Sequence, residues 1–595
     1  MTILFCDTET YCETPLRDGT YIYAHDAEVM IFTYAVDDGP VHCVDLTAGE
    51  KIPDFAVAFE KNPDAITVWH NSMFDRNVMR FSGQANIPTT RVHDTMVQAL
   101  AHSLPGALGL LCDIYGIEGD EAKDKAGKAL IHLFCKPRPK KSELRRATNE
   151  THPEEWQAFK DYAKSDISAM RALYHKMPRW NYSGSEMDLW RLDQRINDRG
   201  FAVDRELAEA AIEEIAKAQK RLSADTSEAT AGYVERGTQR DRLLRFILKA
   251  YGVSLPDLTK STVERRINDP SLPQEVRELL ALRLESSKSS TSKYKSLLKA
   301  VSPDGRLRGT LQFCGASRTG RWSGRTFQPQ NLFRPTMKQE EIDLAIRGIK
   351  SGAVSLITDD VMNAAANSVR GCIIAPTGKK LVVSDLSNIE GRFAAWVAEE
   401  EWKCDAFREF DNGIGEDLYM VAYGKAFGVD PASAVGSKRQ VGKVMELMLQ
   451  YAGGVGAFLT GAATYRIDLD EMAEAALPSI PERIKLEALN WYEKSKEQGN
   501  TFGLERDTFV ACDGLKRLWR AAHPQISSIW KEIEDAVEAA IHNPGTTYKC
   551  RKLSIRKDGT WLRIMLPSGR FLCYPSARVN EDGNIQFKGL NPYSR

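Results

Sequence analysis

The sequence predicts a multidomain chain that opens as an α/β unit, continues through a helical stretch and closes as a mixed α+β region. Three observations carry this expectation. Apolar runs of strand length, Thr2–Cys6 and Ala65–Trp69, alternate with helical patterns over the first 180 residues. From Glu186 to about residue 300, Leu207, Ala211, Ile212, Ile215, Ala216 and Leu222 recur at helical spacing with charges between them. Further on, the apolar run Leu381–Val383 leads through Ser384 to Asp385 and a helical pattern, and 595 residues leave room for about four domains at roughly 150 residues each.

Composition sets the class. Hydrophobic residues make up 43% and charged residues 27%, which excludes a mostly disordered or collagen-like chain. The 80 Lys and Arg nearly balance the 81 Asp and Glu, so a global basic signature for nucleic acid is absent, although a local one can hide inside that total. The 11 cysteines form no C-x-x-C pair and no zinc-ribbon spacing, which predicts free thiols in a reducing cytoplasm. Acids arrive at Asp7 and Glu9 before any signal-peptide core, and no apolar run is long enough to span a membrane.

The first strand ends in Asp7-Thr8-Glu9. Alternation on an extended chain puts Asp7 and Glu9 side by side on one face, where two carboxylates repel unless a cation sits between them. The second strand leads into Asn71-Ser72-Met73-Phe74-Asp75 and a helical pattern containing Val78, Met79 and Phe81. The helical segment Glu155–Lys176 carries Tyr162 and Asp166 four residues apart, hence on one face. Each acid also has a structural reading: Asp75 as a helix N-terminal acid favoured by the dipole, Asp166 as a surface charge.

In the order D-x-E, N-x-x-F-D, Y-x-x-x-D, residues 1–180 resemble the DEDD superfamily of 3′–5′ exonucleases, in the subclass with tyrosine in its third motif. The resemblance implies that Asp7, Glu9, Asp75 and Asp166 hold two divalent cations, Mg²⁺ or Mn²⁺ by the hardness of the oxygen donors. It implies that Tyr162 orients the attacking water at a single-stranded 3′ end. Asp94 is a further ligand-shell acid or a structural residue, and Lys136–Lys141 form a basic surface loop near the strand.

Charge then becomes uneven. Between Lys288 and Arg334 lie ten basic residues (Lys288, Lys293, Lys295, Lys299, Arg306, Arg308, Arg318, Arg321, Arg325 and Arg334) and one acid, Asp304, a net charge of +9. Interleaved Ser, Thr, Gln and Asn favour a track for a duplex backbone over a mixed-sign solvated face. Within it, Arg318-Thr319-Gly320-Arg321 and Gln330-Asn331 resemble the T-G-R and Q-N motif of family A DNA polymerases, with a phage-like Phe333-Arg334-Pro335 after Leu332. The resemblance implies that Arg318, Arg321, Gln330 and Asn331 contact the primer–template.

Two more motifs extend that resemblance. Asp385, Ser387, Ile389, Glu390 and Arg392 match D-x-S-x-I-E-x-R of family A motif A. This implies that Leu381–Asp385 is a buried strand delivering Asp385 to two Mg²⁺ ions, and that Glu390 closes the sugar pocket against a ribose 2′-OH. The structural alternative is a capping box between Ser387 and Glu390. Arg439, Lys443, Leu447 and Tyr451 follow at steps of four, all within one broad helical face. They resemble motif B, in which Arg439 holds the β- and γ-phosphates of a dNTP and Lys443 protonates the departing pyrophosphate. Leu447 stands where many relatives have an aromatic, and Ala452 where they have Gly. Residues 462–509 read as an inserted helical region.

Motif C, a His-Asp-Glu that supplies the second catalytic carboxylate, is not found: His-Asp occurs at residues 25–26 and 93–94, both in the first third. The resemblances together imply a ribonuclease H-like α/β exonuclease domain at 1–180 and an α+β right-hand polymerase. Its helical thumb is placed at 186–300, its palm with motif A at 301–398, its fingers with motif B at 399–545, and the start of a truncated C-terminal palm at 546–595. The expected activity is a cytoplasmic phage DNA polymerase with proofreading exonuclease, possessing two metal ions per site. Its expected partners are primer–template DNA, dNTPs, a C-terminal polypeptide supplying motif C and a processivity factor on the thumb. The alternative is a stand-alone exonuclease with a primer–template platform that does not polymerise.

Overall fold

The computed structural model describes residues 2–57, 64–117, 127–287, 290–316, 319–465 and 467–589. Arg318 and Lys288 lie outside the described residues. The chain divides into two compact units, Met1–Val382 and Val383–Arg595.

The first unit opens on a five-stranded sheet of β1 (Ile3–Tyr11), β2 (Glu28–Val36), β3 (Val41–Asp45), β4 (Ile66–Trp69) and β5 (Val92–Asp94), in the order β3-β2-β1-β4-β5. β1 pairs antiparallel with β2 and parallel with β4, so it is central and buried on both faces. It runs further than the sequence suggests. Pairing with β2 continues past a bulge between Glu9 and Thr10, so Asp7 and Glu9 sit inside the strand and not at its end.

Alternation decides which helix they meet. Phe5 packs edge-on against Tyr174 at 5.4 Å, so the odd-numbered face of β1 looks toward the helix Pro153–Lys176. Leu4 and Cys6, on the other face, join a core with Trp69, Val97 and Trp190. The hairpin Leu311–Ala316/Arg321–Gly324 enters that same core through Phe313 and Cys314. Trp322 of the hairpin donates its Nε1–H to the buried carboxylate of Asp193 at 2.8 Å.

A second core is built on the 25-residue helix Arg205–Ala229, packed with Ser290–Ala300 and Val361–Ser368. The segment between the first two has a small core of its own, around Leu243, Ile247, Val276 and Leu280.

The second unit is a helical body on a four-stranded antiparallel sheet. The helices Ser437–Leu449, Arg506–Ala522 and Pro524–His542 share one core with the strands Thr547–Cys550, Leu553–Asp558, Trp561–Met565 and Phe571–Pro575.

The run Leu381–Asp385 corrects the sequence reading. It is irregular chain and not a buried strand, with Val382 83% and Val383 89% exposed. Among the described residues no strand pairs with it. Without a neighbour for its N–H and C=O groups, or a face to bury its side chains, a β-branched run gains nothing from strand geometry.

Candidate functional site

The strand and the helix Pro153–Lys176 bring three of the four exonuclease-type acids together. Carboxylate oxygens of Asp7, Glu9 and Asp166 all lie within 4.8 Å of one another. Glu9 and Asp166 are buried and Asp7 half-buried. Three like charges at this spacing need a cation or protons. The donors are all hard oxygens, without His or Cys, which fits Mg²⁺ or Mn²⁺. Tyr162, one turn before Asp166, is buried. Its phenol is pushed well above the usual range, first by burial and then by the Asp166 and Glu9 charges.

Asp75 stands outside this cluster. It lies in the first turn of the helix Ser72–Phe81 and accepts the Thr8 hydroxyl at 2.6 Å. Burial pushes its carboxyl up to about 7, against the Thr8 hydrogen bond that pulls it down. The surface-charge reading of Asp166 does not hold, since Asp166 is buried, whereas Asp75 does stand in the first turn of its helix, where the helix N-terminal reading puts it. Asp94 is a structural acid: its oxygens take the N–H groups of Asn71, Ser72 and Val97 and the Ser72 hydroxyl, which fixes the turn that precedes Asp75.

A cleft of about 530 Å³ reaches Glu9, with apolar walls from Leu16, Tyr23, Phe74 and Ile131 and with Arg17 and Lys136 among its lining residues. Apolar walls with two cations suit a base and its phosphates. Thr8, at the variable position of D-x-E, and Leu16, Arg17, Tyr23 and Ile131 of the cleft hold no fixed motif position and carry no motif signal, whereas Phe74 is the fixed aromatic of N-x-x-F-D and Lys136 belongs to the basic loop.

The basic track divides by role. Arg306 donates to the Arg199 and Gly200 carbonyls, Arg308 is paired bidentately with Asp304, and Lys293 donates to the Phe327 carbonyl. These cations hold the fold together. Arg321 stands on the hairpin, and Gln330 packs so closely on Gly324 that a Cβ there would lie 1.9 Å from its Nε2. Asn331 donates to the Gln328 side chain at 2.7 Å.

In the second unit, Asp385 lies in exposed chain before the helix Ile389–Ala398. The Ser387–Glu390 capping box is not formed: Asn388, at a left-handed φ of 48°, occupies the N-cap without a side-chain bond. Glu390 instead accepts a hydrogen bond from the Tyr451 hydroxyl, so residues 61 apart in sequence meet. Tyr451 lies two residues beyond the end of the helix Ser437–Leu449, a correction to the single-helix reading; the chain turns there, and Ala452 takes a φ of 61°. Arg439 pairs with Asp417 at 2.9 Å, a partly exposed contact worth at most about 1 kcal/mol and readily exchanged. Lys443 and Leu447 are half-buried one turn apart.

All 11 cysteines are free, and among the described residues no helix is long and apolar enough to cross a membrane. No family model matches the chain. The polymerase domain of Pol1 from M. smegmatis, solved in complex with DNA primer-template and dNTP, aligns over 90% of this chain and 86% of its own length, with 14% identity and a TM-score of 0.48. The DNA polymerase of Bacillus phage SP02 is 32% identical over 593 residues, covering 98% of this chain and 84% of the relative. With that identity along nearly its whole length, the chain belongs to the DNA polymerase family of that phage enzyme, a family of nucleotidyltransferases.

Proposed function

We propose that residues 1–180 form a ribonuclease H-like 3′–5′ exonuclease that proofreads for the polymerase, and that the polymerase centre around Asp385 is completed by a further polypeptide segment carrying a second carboxylate. The observation that carries the first half is the Asp7–Glu9–Asp166 cluster with Tyr162 one turn away. The mixed sheet order supports it, because it brings a D-x-E strand against the helix bearing Y-x-x-x-D.

Asp7, Glu9 and Asp166 would hold divalent cations, with Asp75 joining by a rotation that breaks its bond to Thr8. When bound, such ions supply Lewis acidity toward the scissile phosphate and a lower pKa for the attacking water. The chain's own residues do the rest. The apolar cleft walls bind the terminal base, Arg17 and Lys136 attract the backbone, and Tyr162 orients the water.

In the polymerase half, Arg439 exchanges Asp417 for the triphosphate, Lys443 gives a proton to pyrophosphate, and the Glu390–Tyr451 pair walls the sugar site. Arg321, Gln330 and Asn331 contact the primer–template.

A 5′-labelled single-stranded oligonucleotide should shorten from its 3′ end with Mg²⁺ and stay intact with EDTA. In an Asp166→Asn background, the chain alone should not extend a primer, and should do so once a segment bearing the second carboxylate is added. An intact oligonucleotide sinks the exonuclease reading, and primer extension by the chain alone sinks the second.

A further inference from the structure

We infer that Gly127 is a positioning residue for the exonuclease half: the side chain it lacks leaves the space in which the Tyr162 ring stands, and so sets where the phenol oxygen lies beside Asp166 and Glu9. The inference rests on the exonuclease reading above.

Gly127 opens the helix Gly127–Phe134 and is buried. Its φ lies outside the positive region, so the backbone there is open to any residue, and alanine is the better helix former. What glycine provides is room. A Cβ at residue 127 would lie 2.0 Å from Tyr162 Cε2, 2.2 Å from Cδ2 and 2.7 Å from Cζ. Carbon atoms pack at about 3.5–4.0 Å, so either the ring or the helix must shift by more than 1 Å.

The ring has little freedom to yield. Tyr162 stacks on Phe159 at 6.3 Å and 6°. Phe159 stacks in turn on Phe134, the last residue of the helix that Gly127 begins, at 5.2 Å. Met30 and Ile31 of β2 close the same cluster. One short helix thus braces the tyrosine at both ends, through bare backbone at Gly127 and through an aromatic stack at Phe134. A phenol ring is rigid, so displacement of its Cδ2–Cε2 edge is carried to the oxygen. Misplacement of a water-orienting group by about 1 Å costs on the order of 10²-fold in rate.

The test is a double-mutant cycle on full-length protein. Gly127→Ala should lower kcat on a single-stranded 3′ end by about 10–100-fold, with KM and Ca²⁺-supported binding of the oligonucleotide within about twofold. In a Tyr162→Phe background, which lacks the hydroxyl, Gly127→Ala should cost nothing further in kcat. If Gly127→Ala also lowers Tm, a Tyr162→Leu background, which frees the space, should restore most of that loss. Three results overturn the inference: a wild-type kcat in Gly127→Ala while Asp166→Asn is inactive, losses that multiply with Tyr162→Phe, or a Tm loss that persists with Tyr162→Leu. A wild-type chain that leaves 3′ ends intact fails the exonuclease reading itself and is told apart by that control.

Discussion

Asp7→Ala should remove 3′-end shortening by on the order of 10³-fold, the scale seen when one electrostatic stabiliser is lost from a reacting centre, while raising the melting temperature in metal-free buffer. A purely structural acid would give the opposite second result. The carboxylates of Asp7, Glu9 and Asp166 approach within 4.8 Å, and at an effective dielectric near 20 each charged pair at that distance costs about 3 kcal/mol before screening. Asp7 is half-buried, so solvent reduces its share, and a gain of about 1 kcal/mol corresponds to roughly 1 °C for the unit Met1–Val382. Mg²⁺ should then raise Tm in the wild type and leave Asp7→Ala nearly unmoved, since ligand binding to the native state stabilises by mass action. Calorimetry with and without Mg²⁺ reads both effects. A variant that melts lower in metal-free buffer, or that keeps a tenth of its exonuclease rate, would remove Asp7 from the site.

Much of that site was legible because two periodicities place its members. Strand alternation puts Asp7 and Glu9 on one face, a four-residue step puts Tyr162 and Asp166 on another, and the structure joins the two faces. What was illegible depends on the third dimension. Asp75 shares the motif pattern yet stands apart, because Thr8, pointing to the other side of β1, holds its carboxylate. Leu381–Val383 has the composition of a buried strand, but composition cannot provide the neighbouring strand, and the run remains exposed. Ser387 and Glu390 have capping-box spacing, yet Asn388 adopts the left-handed cap and Glu390 turns to Tyr451. Gly127 lies 35 residues before Tyr162, and only their contact shows why that position has no side chain.

A group of buried charges escaped the sequence altogether, and its disruption should have the largest effect on stability. Lys403 and His523 are fully buried, and both meet Glu446, at 2.5 Å and 3.1 Å; Trp519 donates its Nε1–H to the same carboxylate at 2.8 Å. Residues 403, 446 and 523 are too far apart in sequence for any motif, yet they tie together three segments of the second unit. Glu446 is one turn after Lys443 on the helix Ser437–Leu449, so this network holds the helix that presents Lys443 and Arg439. Burial alone would push the Glu446 carboxyl up, but the Lys403 charge, with help from His523, outweighs it and holds the group at about 2. Its contribution is therefore fully present above the ordinary value of 4.5 and is lost as pH falls through about 2. Lys403→Met leaves that carboxylate buried without its cation, and should destabilise the second unit by about 3–5 kcal/mol at pH 7. In the variant the sign reverses: Glu446 gains its proton more easily in the folded state, so the deficit should shrink as pH is lowered from 7 toward 4.5. Lys403→Met/Glu446→Gln should recover more than half of the loss at pH 7, because the uncompensated charge is gone while an oxygen still faces Trp519. Urea unfolding of the three proteins at the two pH values decides it, and a deficit below about 1 kcal/mol, or one independent of pH, would mean that the pair is ordinary packing.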